Sequence, residues 1–433
     1  MANQKTTAKK LEEAKQEFKL QVYTQALQGN NNSPWSSLYK QGDNRDSYEL
    51  GYDSASLRER SKLFFSNDPV YRPLINNLVT NIVGSGFVFK SNNLEAEDKF
   101  YLWTKDSNES QLSWEDFLST VVRWFFIFGD VLLIKREGKI ILIDPQRIGS
   151  LSETFEGHTV IDGVEIDDLT SNPTFFHINT AGGKSIRIPA DECIFIANKV
   201  LPSQIRGEPM LAQIADLLES IYQYTTAAVL GARIAASMSL IITSPDVAGF
   251  ENYAAGQVSL TSPTMSYMPE GSKIEQIKAE QPIGNYDVFQ NNILDQICMA
   301  VGLTTASLGQ VQKLNFSASK LSIEIARDTY RKWQRFFGDY LILKLWNWKI
   351  GMDVEVTIRG SGFKSYDKQA DYQAESLALE TGLETFENIL AARGIYLDEH
   401  IQKLKEEQVK LQGIKLNHSS MTQVDKDEEI NNA

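Results

Sequence analysis

Chemistry in a protein needs particular side chains at particular spacings, and this chain spaces its reactive residues widely. It has four histidines, His158, His177, His400 and His418, each alone in its stretch. None shows the His-Glu-x-x-His spacing that sets two imidazoles on one helix face around zinc. Sequence order nominates no Ser–His–Asp triad, because triads are assembled by the fold. His177 sits in the apolar run TFFHIN and reads as a hydrogen-bonded structural residue. Carboxylates are plentiful, but no pair stands out as general acid and general base. Asp167-Asp168 and Asp425 to Glu429 read as solvated loop and tail. The two cysteines, Cys193 and Cys298, exclude a disulfide framework or a cysteine-ligated zinc or iron–sulfur site. They fit a chain that folds in a reducing cytosol. No cofactor or metal is expected.

Two glycine patterns invite a phosphate-binding reading and fail it. Gly182-Gly183-Lys184-Ser185 lacks the upstream glycine of a phosphate loop, since Ile178 stands there, and SIRIP behind it is a strand rather than a helix. It reads as a hairpin turn. GSGF at 84–87 and 360–363 never extends to G-x-G-x-x-G and reads as chain turning.

The strongest charge signal is the segment 319–350. Lys320, Arg327, Arg331, Lys332, Arg335, Lys344 and Lys349 stand there against Glu324, Asp328 and Asp339, a net +4 in an acidic chain. Its Tyr330, Trp333, Phe336, Phe337, Tyr340, Trp346 and Trp348 fit a core helix with an aromatic stripe and a solvated basic face. They fit equally a face that meets phosphate or an acidic neighbouring subunit. The loop before it, Gly309 to Asn315, offers hydrogen-bonding groups and one cation at a flexible tip. Such a loop could touch DNA weakly and repeatedly.

The elements that must position these residues follow from patterning. Residues 1–55 read as a charged helical start and a polar loop. Helical pattern runs from Leu57 to Val83, broken at Asn67-Asp68-Pro69 and ended at Gly84-Ser85-Gly86. Residues 114–128 are helical. VLLIKREGKIILIDP reads as a hairpin about Glu137-Gly138, and TFFHINTAGGKSIRIPADECIFIAN as a second. Residues 57–200 thus read as an α+β module. Glu208 to about Thr243 reads as one long helix, roughly 50 Å if unbroken, rich in small residues that let other helices approach. Residues 244–282 form a Pro/Gly-punctuated, β-containing insertion, and Tyr286 to Val301 a shorter helix. After the Gly- and Ser-rich loop come a helix over Ser319 to Ile350, a strand over Met352 to Arg359, and charged helices over 366–412 with a break at Arg393-Gly394. The last residues read as a disordered tail.

With 433 residues, two to four modules are expected, and 42% hydrophobic content is enough for sizeable cores. A net charge of −13 argues against a surface that grips nucleic acid indiscriminately. It leaves open one that DNA slides past. The start is charged and lacks an apolar signal core. The run Val121 to Ile134 is interrupted by Arg123 and Asp130 and is too short to span a bilayer, so a soluble protein without membrane contact is expected.

In order along the chain, these pieces resemble the portal proteins of tailed bacteriophages over roughly residues 55–410. LRERSKLFFSNDPVYRPLINNLVTNIVGSGFVFK resembles the family's opening Arg-rich helix, Asn-containing break, second helix and V-G-x-G. IRIPADECIFIANKVLPSQIRGEPMLAQIADLLESIYQYTTAAVLGARIAAS is similar to its I-P-A-D strand, R-G-x-P turn and long Ala-rich helix. DVFQNNILDQICMAVGLTTASLGQVQKLNFSASKLSIEIARDTYRKWQRFF resembles its Gly-Leu helix end, Gly/Asn/Ser loop and following helix. LALETGLETFENILAARGIYLDEHIQKLKEE is similar to the helical C-terminal region of the lambda-like branch. Thr304 stands where Pro is usual and Lys320 where Arg is common.

The resemblance implies an α+β portal fold: an α/β wing, a long helical stem, a small β-containing clip and a helical C-terminal crown. Carried onto this chain, it implies an N-terminal arm over 1–55, partly disordered, and wing over 56–205 and 319–365. Stem helices would cover 206–243 and 283–303, the clip 244–282, the tunnel loop 304–318, the crown 366–412, and the disordered tail 413–433. It implies a non-enzymatic ring, usually dodecameric, at one capsid vertex of the virion, assembled in host cytoplasm. Double-stranded DNA would be packaged through it by the terminase motor and later ejected. Implied partners are the terminase large subunit, the head–tail adaptor, and the major capsid and scaffold proteins. Gln310, Gln312, Lys313 and Asn315 would face DNA. Glu208, Asp216, Glu219, Asp287 and Asp295, with Arg233, would give the stem a net negative charge that keeps DNA mobile. The alternative is a phage-encoded metal-dependent nuclease or other DNA-processing enzyme, which needs clustered carboxylates or a metal motif.

Overall fold

The computed structural model describes residues 54–149, 154–155, 158–167, 169–180, 182–201, 204–237, 241–243, 273–275, 286–310, 315–363, 368–393, 395 and 397–411. Helices α1 (Ser54–Asn67) and α2 (Tyr71–Val83) come first. They part at the expected break, where the Asp68 carboxylate accepts the backbone N–H groups of Val70 at 2.8 Å and Tyr71 at 2.6 Å. Those amides at a helix start have no carbonyl within the helix to bond. In α2, Tyr71, Leu74, Ile75, Leu78, Val79 and Ile82 recur at three- and four-residue steps and are all buried.

Strand β1 (Val88–Ser91), α3 (Leu94–Thr104) and α4 (Trp114–Phe128) follow. Ser113 caps α4 by accepting the Asp116 N–H at 3.1 Å. Gly129 ends the helix in the left-handed region, φ 86°, donating its N–H to the Phe125 carbonyl. That glycine has a second duty, because a Cβ on Gly207 would fall 1.8 Å from the Gly129 carbonyl oxygen. Two backbones meet there with no room for a side chain.

Strands β2 (Asp130–Arg136) and β3 (Lys139–Ile143) form the first hairpin. An antiparallel meander follows: β4 (Thr154–Phe155), β5 (His158–Ile161), β6 (Val164–Ile166), β7 (Pro173–Asn179) and β8 (Ser185–Pro189), neighbours in that order. The expected hairpin around Gly182-Gly183 is β7–β8. The apolar run CIFIA, however, leaves it as β9 (Cys193–Ala197) and pairs with β2 in a separate sheet of order β3-β2-β9. All of Asp130 to Ile134 is buried, and a buried strand needs hydrogen-bond partners along both edges.

Beyond β9 lie a 3-10 turn (Met210–Gln213), α5 (Ala215–Ser237), and β10 (Ile241–Thr243) paired with β11 (Lys273–Glu275). Next are α6 (Tyr286–Ala300), α7 (Phe316–Phe337), a π-helical turn (Gly338–Ile342) and α8 (Leu343–Lys349). Strand β12 (Val356–Arg359) returns to pair with β1. Helices α9 (Lys368–Glu380), α10 (Phe386–Ala392) and α11 (Leu397–Leu411) complete the described chain.

Several expectations change here. The helix read over 208–243 starts only at Ala215 and has 23 residues, about 35 Å at the α-helical rise. Met210, Leu211 and Ile214 are buried instead in the main core, and Arg206 and Glu208 before them are also buried; apolar content alone does not distinguish such a run from a helix. The helix read over 319–350 begins at Phe316 and carries the π turn. The strand read over 352–359 shortens to its last four residues. Strands β1 and β4–β6, helix α3, and the turn at Thr381–Gly382 were not anticipated. The arm up to residue 53, the tail 413–433, and the insertion 244–282 apart from β11 lie outside the described residues.

One apolar cluster unites α1, α2 and α4 with β2, β9, the start of α5, and α6, α7 and α8. Residues from Leu57 to Trp346 therefore share it. Phe125 packs at 5.1–5.6 Å ring distances against Phe126, Trp333, Phe336 and Phe337. Trp346, fully buried, lies against Phe89 and Phe100. A second cluster fills the space between the two larger sheets, with Leu132, Ile143, Val164 and Phe176 at its centre. No helix of the described residues is long and apolar enough to cross a membrane.

Candidate functional site

The loop between α6 and α7 is tethered on both sides. At its entry Gly302 takes φ +72°, and a Cβ there would lie 2.7 Å from Thr329 Oγ1. That hydroxyl donates to the Gly302 carbonyl at 2.6 Å, tying the loop root to α7. Thr304 caps a single 3-10 turn, Thr305–Leu308, in a reciprocal box with Ser307. Its hydroxyl also donates to the Ser322 carbonyl at 3.1 Å. Thr305 donates to Asp295 of α6 at 2.8 Å. From the core side, Asn77 Nδ2 donates to the Ser307 carbonyl at 2.8 Å and Tyr330 bonds the same asparagine. At the exit, Asn315 caps α7 by accepting the Ala318 N–H at 2.8 Å.

Of the four residues assigned to this loop, Gln310 is exposed and its N–H bonds the Thr305 carbonyl at 3.0 Å. Asn315 is exposed with its side-chain oxygen engaged in the cap. Gln312 and Lys313 lie outside the described residues. The adjoining helices leave large apolar side chains in water: Phe316, Leu321 and Ile325 on α7, Met299 on α6, and Tyr222 and Val229 on α5. Helices α5 and α6 meet through Tyr224, stacked on Tyr286 at 5.5 Å and against Phe289 at 4.2 Å.

The basic character of α7 divides in the structure. Lys320 pairs with Asp371 at 3.1 Å, Arg327 with Glu324, and Arg331 with Asp328 at 2.9 Å. Lys349 lies over the rings of Trp103 and Trp348, where burial lowers its pKa. Lys332 and Lys344 face a cleft beside β9. Of the carboxylates expected to charge the stem, Glu208 is buried in the core region and does not belong to that face. Asp216, Asp287 and Asp295 are exposed, Glu219 is half-buried, and the Arg233 side chain lies outside the described residues.

The R-G-x-P turn has a role that motif reading missed. Arg206 is buried and grips Asp130 with two hydrogen bonds, Nε to Oδ2 at 2.7 Å and Nη2 to Oδ1 at 3.0 Å. It also donates to the carbonyls of Pro145 at 3.1 Å and Asp162 at 3.0 Å. The Gly207 N–H adds a 2.9 Å bond to Asp130. Arg58 of α1 pairs with the Asp162 carboxylate. Burial alone would lower the Arg206 pKa, but Asp130 and Asp162 more than offset this and raise it. The sequence signals for this network were an aspartate inside an apolar run, Asp130, and the arginine of the R-G-x-P turn.

Asp167 proves to be turn material, accepting the Thr170 N–H and hydroxyl at 2.8 Å each, while Asp168 lies outside the described residues. His177 is buried in a structural ion cluster. Its Nε2 lies 2.6 Å from Glu165 Oε1, and Arg187 grips the same carboxylate at 2.7 and 2.8 Å. The hydrogen bonds from Arg187, then from His177, hold the Glu165 pKa below the ordinary range. Burial pushes both cysteine thiols up to about 12, away from the thiolate a nucleophile needs. Among the described residues no group of three or more His, Cys, Asp or Glu is placed to hold a metal ion.

Comparison with known proteins adds to this geometry. A search of curated proteins finds no match. Three solved structures share the fold at 12% identity each. They are a chain from the neck of an empty gene transfer agent particle computed with C6 symmetry (TM-score 0.55, covering 80% of this chain and 95% of that one), one from the virion of a native gene transfer agent particle (0.52, 82% and 96%), and one from the neck of the native particle computed with C12 symmetry (0.50, 79% and 93%). A family model described as phage portal protein, lambda family, matches residues 37–334. That span is well over half of the chain and takes in the Arg206 anchor, the tethered loop and most of α7, and so the chain belongs to the lambda family of phage portal proteins.

Proposed function

We propose that copies of this chain close into a ring of about twelve at one capsid vertex. Double-stranded DNA would pass through its opening, inward under the terminase motor and outward at ejection. The family membership carries this reading. The tethered loop supports it, since a contact that meets passing DNA repeatedly must have rigid roots. The exposed apolar residues of α5, α6 and α7 are what neighbouring subunits would cover, and the C12 symmetry used for one similar neck supports a count of about twelve. On this reading α5 and α6 form the stem, the insertion between β10 and β11 the clip, and α9–α11 the crown. The core built from 56–205 and 319–365 is then the wing. The clip would meet terminase and later the head–tail adaptor, and capsid and scaffold proteins would surround the ring in the virion. Gln310, Gln312, Lys313 and Asn315 face the channel.

The test is particle mass together with packaging. The purified protein should give a species near twelve times 48.8 kDa. Deleting residues 310–315 should leave that mass intact and cut the DNA packaged per particle severely. Loss of the assembly instead would make the loop structural.

A further inference from the structure

A cleft of about 720 Å³ separates β9 from α7 and the π turn. Phe195, Ile196 and Ala197 all line it. Alternate residues of a strand point to opposite faces, so three in succession mean that β9 presents its edge. It is the outer strand of the order β3-β2-β9, and no described strand occupies its second edge. The opposite wall is aromatic, with Trp333, Phe336 and Tyr340. Lys199, Lys332 and Lys344 also line it, and none has a carboxylate partner among the described residues. Elsewhere on α7, Lys320, Arg327 and Arg331 are each paired. Desolvation lowers the pKa of Lys199 and of Lys344, where Lys135 adds like-charge repulsion. An anion seated here would favour the charged form of these lysines and so oppose both effects.

The chain itself carries a complementary segment. Val424-Asp425-Lys426-Asp427-Glu428-Glu429-Ile430 sets four carboxylates within five residues, between two β-branched apolar residues. Residues 412–433 follow α11 and can reach roughly 75 Å when extended. We propose that the cleft is the docking site for segment 424–430, from the same or a neighbouring copy. The segment lies along the β9 edge as an added strand, with its carboxylates on Lys199, Lys332 and Lys344 and Val424 or Ile430 against the aromatic wall. Lysines beside aromatic rings also suit single-stranded nucleic acid. The free strand edge and the apolar floor of Phe176 and Cys193 favour a peptide.

Zero-length carbodiimide crosslinking of the full chain tests this. Crosslinks between carboxylates 425–429 and one of the three lysines are expected. In a mixture of isotopically light and heavy copies, mixed crosslinks mean a neighbouring copy and unmixed ones the same copy; both support docking. In parallel, a labelled peptide of residues 421–433 is titrated into the full chain bearing Asp425→Asn, Asp427→Asn, Glu428→Gln and Glu429→Gln. It should bind at least tenfold tighter there than to the unaltered chain, whose cleft is filled. Adding Lys199→Gln, Lys332→Gln and Lys344→Gln should weaken it tenfold, with the thermal melt unchanged. Missing crosslinks, or peptide binding indifferent to the lysines, would overturn the proposal. So would a DNA oligonucleotide that displaces the peptide at lower concentration than unlabelled peptide does.

Discussion

At the scale of single residues, two buried ion clusters hold the sheet region in different ways. Asp130 is fully buried, and its carboxylate accepts hydrogen bonds from Arg206 and from the Gly207 amide. Removing one member of such a pair leaves an uncompensated charge in low dielectric, at about 3–5 kcal/mol, whereas replacing both with apolar residues is close to neutral. Arg206→Ala should therefore lower the denaturation midpoint strongly, and Asp130→Leu combined with Arg206→Met should restore most of the loss. Equal damage in both would show that the Pro145 and Asp162 carbonyls, and not Asp130, are what Arg206 is needed for. Glu165 adds a pH dependence of known sign. Its pKa is held down in the fold, so its contribution is present above the unfolded glutamate value, about 4.3. It is lost as pH falls through the lower folded value. Glu165→Gln should flatten the acid limb of a stability-against-pH profile in that window, and an unchanged limb would mean that other carboxylates set it.

At the scale of elements, the loop roots make the sharpest prediction. Gly302 combines φ +72° with Thr329 Oγ1 where a Cβ would sit. Gly302→Ala should cost about 1–3 kcal/mol locally and speed amide exchange at Ser307, Gly309 and Gln310 while leaving α4 protected. Uniform loss of protection would mean that the loop root is part of the global fold. The helix ends here were legible in sequence because they carry local signals. Ser113 and Gly129 bracket α4 as capping chemistry requires, and Asn67-Asp68-Pro69 marks the α1–α2 break. What could not be read were features set by distant partners. The destination of β9 depends on β2, sixty residues earlier in the chain. The loss of helix over 208–214 depends on burial against Gly129 and α1. The two-residue β4 and three-residue β6 are too short for any periodicity to register. In the candidate site, Asn315 was legible as a loop residue but not as a cap, because its role rests on the Ala318 amide lying within reach.

At the scale of the whole molecule, the question is what covers the apolar surface that a single chain leaves in water. Leu321 is 65% exposed and Ile325 54%, one turn apart on α7, with Phe316 at 61% at its start. Met299 on α6 is 66% exposed and Tyr222 on α5 67%. Single exposed apolar residues are ordinary, but several on consecutive helices around one loop mark a surface that buries against something. A ring supplies that cover by symmetry, because each subunit offers one face to the next in a head-to-tail contact that closes. The alternative is that these residues line the opening, where water and DNA would meet them. Leu321→Glu with Ile325→Glu separates the two. Both side chains are solvent-facing in the single chain, so the fold should survive, with unchanged far-ultraviolet circular dichroism. If neighbours cover them, each subunit contact buries two unpaired carboxylates, at several kcal/mol per contact. A ring repeats that cost at every interface, so the mass distribution should collapse from the large species to single chains. If they line the opening, the ring should form at full mass and the added negative charge should appear only as altered DNA passage.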